Sequence, residues 1–226
     1  MKTIHIIAVV LFLAGTALFT SCMQRNYYNT NPNNTNTGHN NNNGINPGYP
    51  QEFDEEFNGA DKYGWSFTNA TDSAYASITN GSYQYVDYSA VLSNMSVVNT
   101  GVNTQGNFTV ITRIKSNKIM GLIFGASATD NGYAFYIDTV GNFSLYKEGA
   151  GTTASTTIIA ATYDSLAVKN DWNILEVDQT SGNWTGFING TQVFQMTART
   201  ITGSDFGFKI LPGTVGYADY LVVKSY

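Results

Sequence analysis

Three carboxyl groups alternate along the chain shortly after its fiftieth residue: Glu52, Asp54 and Glu56 stand two apart. On an extended backbone such residues project to one face. That spacing suits glycoside hydrolysis by double displacement, which needs a nucleophile and a proton donor about 5 Å apart across the bond to be cut. Glu55, however, fills an intervening position that should be apolar, and an edge strand guarded by acids explains the run more simply. Glu176 and Asp178 repeat the first two carboxyls, but Gln179-Thr180-Ser181-Gly182 follows with no third, which reads as the outward face of a strand.

Other catalytic groups are scarce. His5 and His39 both precede residue 51, so the rest of the chain has no imidazole to act as general base or to ligate zinc. Cys22 is the sole cysteine, no G-x-S-x-G elbow occurs, and Gly149-Ala150-Gly151 lacks the helix that a phosphate loop needs. The formal net charge of −5 and the scattered Lys and Arg leave no footprint for a nucleic acid. Sugar binding asks for less: an aromatic ring against the apolar face of a pyranose, with amides, hydroxyls or carboxylates beside it. Trp65, Tyr83, Tyr85, Tyr88, Tyr133, Trp172 and Trp184 are candidates near strand ends or turns. Tyr83 and Tyr85 share a face and Trp184 opens a strand beside a loop, which singles out these three. Calcium would need several converging oxygens, which Asp130-Asn131 beside Asn142, or Glu55 with Asp219, could supply.

The elements that must position these groups are strands. Only 12% of residues are charged against 42% hydrophobic, and Gly, Tyr and Phe are abundant, a mix that favours sheets. From Asp171 to Ala198 three strands follow in succession. Asn173, Leu175 and Val177 share one face while Glu176 and Asp178 share the other, and Trp184 to Ile188 turns at Asn189-Gly190 into Thr191 to Thr197. Asn-Gly is the dipeptide that a two-residue hairpin of type I′ prefers. Asn80-Gly81 joins Ala74–Thr79 to Ser82–Tyr88 in the same way. Further strands are expected at Asn107–Lys115, Ile119–Ala126 (apolar enough to be covered on both faces), Tyr133–Asp138, Phe143–Lys147, Thr156–Thr162, Leu166–Lys169, Phe206–Leu211 and Val215–Lys224. No window holds a helical period, and turn signals at this density predict a sandwich or barrel.

Ahead of the strands lie two segments of other character. Met1 to Ser21 has a basic start and an apolar run, Ile6 to Leu13, too short to span a bilayer, the pattern of a secretory signal. It ends Leu18-Phe19-Thr20-Ser21-Cys22, which resembles the lipobox of bacterial lipoproteins. The resemblance implies cleavage before Cys22 and acylation of its thiol and new amino group, and several acyl chains anchor stably because each buried CH₂ contributes about 0.8 kcal/mol. Met23 to Pro50 is Asn-rich with too few apolar groups to offset ordering. With Cys22 it forms a tether (22–50), on the order of 30 Å long as a flexible coil.

From residue 51 to 226 the order FDEEFNG, Trp65, NFTVITRIK, GLIFGAS, DNGYAFYID, GNFSLYK, DWNILEVDQ, WTGFINGTQVF, FGFKILPG and GYADYLVVK resembles the concanavalin A-like, or LamG-like, domains of Bacteroidota lipoproteins and polysaccharide-acting proteins. The resemblance implies an all-β, two-sheet antiparallel jelly-roll sandwich of the lectin/glucanase type with one concave face, often a carbohydrate site. In some members a structural Ca²⁺ ties the first and last strands, which here would fall to Glu55 and Asp219. The family's hydrolases carry E-x-D-x-E or E-x-D-x-x-E on a central strand, so catalysis, if present, would use Glu52, Asp54 and Glu56. The expectation is a non-catalytic, glycan-binding lipoprotein held to the outer membrane through Cys22, on its periplasmic side or at the cell surface. Ligand contacts would come from Tyr83, Tyr85 and Trp184. The alternatives are a carboxylate-dependent hydrolase or lyase of the same fold, and a structural or adhesive surface protein with a protein partner.

Overall fold

Both Asn-Gly pairs take the turn expected of them. In a computed structural model of the chain, which describes residues 52–70, 73–89, 94–150, 153–165 and 167–226, Asn80 and Gly81 have φ of 53° and 73°, and Asn189 and Gly190 have 52° and 78°. Positive φ at both central residues matches the right-handed twist of the strands they join. Ser181-Gly182 closes a third two-residue hairpin with φ of 51° and 75°.

Fifteen strands form among these residues: β1 Glu52–Glu55, β2 Phe67–Asn69, β3 Ala74–Thr79, β4 Ser82–Asp87, β5 Asn94–Asn99, β6 Phe108–Ser116, β7 Ile119–Ala126, β8 Tyr133–Asp138, β9 Asn142–Lys147, β10 Thr156–Tyr163, β11 Asn173–Thr180, β12 Asn183–Ile188, β13 Thr191–Thr197, β14 Asp205–Ile210 and β15 Thr214–Ser225. They pair antiparallel into two sheets. The larger runs β13-β12-β11-β6-β15-β4-β3-β2, and β1 also pairs β15; the smaller runs β10-β9-β8-β7-β14-β5. β15 is the spine of the larger sheet, because β4 pairs its first half, β1 its second half and β6 nearly its whole length.

Alternation decides what lies between the sheets. Leu175 and Val177 of β11, Phe108, Val110 and Ile114 of β6, and Leu221 and Val223 of β15 point inward and are buried. They meet Leu122 and Phe124 of β7, Phe135 of β8 and Phe206, Phe208 and Ile210 of β14 from the other sheet in one continuous core. Aromatic rings fill much of it. Phe57, Trp65, Tyr83 and Phe208 lie with centroids 5.2 to 6.1 Å apart, distances at which offset and edge contacts are favourable.

The apolar run of β7 is buried on both faces, as its composition predicts. On the outer side of the smaller sheet Ile123, Ala126, Ala134 and Tyr136 form a second cluster. Beside it the Lys209 ammonium pairs with Glu148, both nearly sealed from solvent, and Tyr136 Oη donates to Glu148 Oε1 at 2.8 Å. One expected strand is absent. Over the described part of Leu166–Lys169, residues 167–169, Ala167 N donates to the Asp164 carboxylate and Val168 N to the Asp164 carbonyl, so the chain turns there instead.

Candidate functional site

The outward face of the larger sheet carries the residues that alternation excludes from the core. Across it the register places Ser77 of β3 opposite Gln84 of β4, Gln84 opposite Tyr217 of β15, and Tyr217 opposite Lys115 of β6. Trp172, just before β11, follows in line, since its neighbour Asn173 pairs with Ile114. One residue-pair further along, Tyr75 of β3 stands opposite Val86 and Val86 opposite Val215. The result is a band of partly exposed rings, Trp172, Tyr217 and Tyr75, ending in Tyr88, which is 66% exposed. From Trp172 to Tyr75 it crosses four strand spacings, about 19 Å.

Cations and hydrogen bonds hold these rings in place. The Lys115 ammonium lies 4.7 Å from the Trp172 centroid and 5.5 Å from that of Tyr217, and the Arg113 guanidinium lies 4.9 Å from Trp172. Such contacts contribute about 0.5–1 kcal/mol each at exposed sites. Gln84 Nε2 donates to Tyr217 Oη at 3.1 Å, and Arg113 Nη1 donates to Asp219 Oδ2 at 2.8 Å. Tyr75 is 6.4 Å from Tyr88; burial, with Tyr88 and Tyr217 nearby, keeps its phenol above the usual range. Beside the band opens a cleft of about 400 Å³, lined by Lys115, Ser116, Asn117, Asn170, Asp171, Val215 and Tyr217. A β-bulge shapes this face. Ala218 pairs with Ile114 and Tyr220 with Arg113, so Asp219 is the extra residue, and the bulge aims its carboxylate at Arg113.

Two carboxyls share the outer face farther along β11. Glu176 and Asp178 hydrogen-bond to each other, and burial, followed by the charge of Asp178, raises the Glu176 carboxyl above its ordinary 4.5. Asp178 also accepts from Thr109 Oγ1 at 2.6 Å. The next position on that face is Thr180, whose hydroxyl lies 3.2 Å from Tyr226 Oη.

No protein-family model matches the chain, and a search of curated proteins found no match. Among solved structures the chain is similar to a β-glucanase of Bacillus licheniformis, at 14% identity over 77% of this chain and 98% of that one with a TM-score of 0.51. It is also similar to a prokaryotic β-1,3-1,4-glucanase (lichenase) derived from a mouse hindgut metagenome, at 12% identity over 76% and 98% with a TM-score of 0.50. The fold is a jelly roll.

Within the jelly roll the residues singled out in the sequence take other places. Tyr83, Tyr85 and Trp184, expected to cover a sugar, are wholly enclosed between the sheets. Tyr83 Oη donates to Ser96 Oγ at 2.6 Å, and Trp184 packs edge-on against Phe124 and Tyr133 while its Nε1 donates to Gln179 Oε1. The alternation that sets Tyr83 and Tyr85 on one face sets them on the covered one, with Gln84 between them facing out. Of the wider candidates Trp65 and Tyr133 are buried as well, while Trp172 and Tyr88 reach the surface. Tyr75, Tyr217, Arg113 and Lys115 were not foreseen. The signal for Tyr217 was its place between Gly216 and Ala218, small residues that take the inward side of β15 and leave the ring on the other.

The acids separate similarly. Glu52 and Asp54 point outward from β1, where Glu52 pairs with Lys224 at 2.9 Å, whereas Glu56 lies past the end of the strand and accepts from Asn58 Nδ2. Glu55 points inward and is buried, with Oε1 accepting from Phe57 N; Asp219 points outward to Arg113. The two expected calcium ligands therefore lie on opposite faces of one sheet. Burial raises the Glu55 carboxyl despite the opposing pull of Phe57 N, Lys62 and Trp65. Its Oε2 and the Trp65 indole nitrogen are both sealed without a close partner of their own, and the indole beside the acid is a donor, which suits a carboxylate and not a metal. The second calcium arrangement is also taken up internally. Asp130 accepts from Gly132 N and Lys147, Asn131 donates to the Gly149 carbonyl, and Asn142 donates to Asp138. Among the described residues no three His, Cys, Asp or Glu converge. Cys22, His39 and the rest of 1–51 lie outside the described residues.

Proposed function

We propose that the protein is an exported lipoprotein, anchored through Cys22 to the outer membrane, whose jelly roll binds an extended glycan across the ring band of its larger sheet. The band carries this reading: Trp172 (just before β11), Tyr217 (β15) and Tyr75 (β3) stand at alternate strands of the sheet, with Lys115 and Gln84 on the strands between, Arg113 against Trp172, Tyr88 beside Tyr75, and amides of Asn117 and Asn170 in the adjoining cleft. Rings with flanking donors and acceptors are what pyranose faces and hydroxyls call for, and a row about 19 Å long suits a polymer better than a single sugar. The two solved structures named above, which share this fold, are both glucanases.

The test is binding of the full chain to a broad panel of soluble polysaccharides by affinity electrophoresis and calorimetry. At least one should bind, and Trp172→Ala and Tyr217→Ala should each weaken it about tenfold, since an uncovered ring forfeits roughly 1.5 kcal/mol. Flat responses across the panel, or undiminished binding in both variants, would overturn the reading.

One observation favours glycoside hydrolysis as a second reading. The Glu176 carboxyl is held above its usual range beside Asp178 on the same outward face, which is how environments separate an acid from a base. Against it, the outward face of β11 offers no third carboxyl, since Thr180 takes the next place. Release of reducing ends by the wild-type chain on the same panel would establish it.

A further inference from the structure

Lys115 is the centre of an uneven distribution of charge. The chain as a whole is acidic, with a net charge of −5, yet cations gather at this end of the ring band. Arg113 is matched by Asp219. Lys115 stands between the Trp172 and Tyr217 rings and forms no ion pair with a carboxylate among the described residues. Lys118 reaches over Gly213 at the start of β15, and Lys169 lines a small hollow that adjoins the cleft through Ser116, Asn170 and Asp171. The acids facing this region are Asp171, which is exposed, and Asp138. Both oxygens of Asp138 are already used, by Val140 N, Asn142 N and Asn142 Nδ2. Hydrogen bonds from neutral amides hold the Asp138 carboxylate in place without discharging it, so three ammonium groups face two carboxylates here and one positive charge is left over. Aromatic faces attract a cation without neutralising it, so Lys115 is a fixed charge at the wall of the cleft, and an anion meeting it gains a charge-assisted hydrogen bond of the stronger kind.

Building on the glycan reading above, we propose that the ligand is an acidic glycan whose carboxylate or sulfate group is received by Lys115 in the cleft beside Tyr217. The neutral face of the sugar lies on the rings, and the charged substituent sets the polymer's register along the band.

The experiment measures affinity of the full chain for a polygalacturonate, a sulfated galactan and a neutral galactan of matched length, at low salt and again at about 0.5 M NaCl, where screening shortens to a few ångströms. At least one charged polymer should bind about tenfold tighter than the neutral one, the worth of one hydrogen bond to a charged group. That preference should shrink in salt. Tight binding of the polygalacturonate alone identifies a carboxylate, of the sulfated galactan alone a sulfate ester, and of both a site that reads charge only. Lys115→Met, which keeps a stem to pack on both rings, should abolish the preference for the charged polymer over the neutral one; Lys62→Met, on a cation remote from the cleft, should leave that preference intact. Equal affinity for charged and neutral polymers, or a preference that survives in Lys115→Met, overturns the acidic ligand while leaving the glycan reading standing. Failure to bind any polymer, here and in the wider panel, overturns both.

Discussion

Burial, and after it the charge of Asp178, holds the proton on Glu176. Glu176 is partly buried, faces a second negative charge two residues on and hydrogen-bonds to it, so its carboxyl keeps a proton to higher pH than the ordinary 4.5. Between 4.5 and its folded midpoint the native protein holds a proton that the unfolded chain has released, and stability therefore falls as pH rises through that window. Asp178→Asn keeps the oxygen that accepts from Thr109 and removes the charge. A carboxyl-resonance titration by NMR should show the Glu176 midpoint move down toward 4.5 in this variant without reaching it, since burial is the larger cause; an unmoved midpoint would show that Asp178 has no part in it. At this scale the sequence was a partial guide. It showed that Glu176 and Asp178 share an outward face, because Leu175 and Val177 alternate with them. It could not show which aromatic faces are covered by a second sheet, and so Tyr83, Tyr85 and Trp184 looked as available as Trp172. The polar residue lying between two rings, as Gln84 does, was the sign that the rings turn inward.

The hairpin at Asn189-Gly190 does more than reverse the chain. Asn189 Oδ1 accepts from Ile174 N, and its Nδ2 donates to the Ala167 carbonyl at 2.6 Å and to Asn173 Oδ1 at 2.8 Å. The turn thereby pins the start of β11, and with it Trp172, to the connection that follows β10. Gly190 itself has open space around its α-carbon, so Gly190→Ala should cost only the left-handed backbone, roughly 1–2 kcal/mol. Asn189→Gly keeps the backbone freedom and loses three hydrogen bonds at about 0.5–1.5 kcal/mol each. In urea unfolding Asn189→Gly should be the less stable of the two, and the opposite order would mean that the turn acts by its dihedral angles alone. Elements of this kind were legible because their signals are local: Asn-Gly needs only two residues, and the alternation in β6 and β11 needs eight or nine. β2 was missed because three residues are too few for a period to show. β5 was missed because Met95 and Val97 on its outer side are as apolar as Val98 on its inner side, which hides the alternation. The bulge at Asp219 depends on pairing with β6, and nothing local in Ala218-Asp219-Tyr220 requires it.

At the scale of the whole molecule the proposed anchor and the jelly roll are separable. With Cys22→Ser the protein should move from the membrane to the soluble fraction on cell fractionation, while the purified chain keeps its affinity for glycan; retention in the membrane would place the anchor elsewhere. The two parts meet mechanically at β1. That strand offers four residues, all paired to the far half of β15, with Glu52 opposite Lys224. The near half of β15 carries Tyr217, and its middle carries Tyr220 at the bulge. Tension between a surface holding the N-terminal side and a polymer held on the rings would thus gather from the ring-bearing strands into β15 and pass from Lys224 across to Glu52. β1 meets the sheet through β15 alone and over only four residues, so the first bonds to yield under shear would be those of β1, whose loss would lengthen the leash while the rings stayed aligned on their cargo.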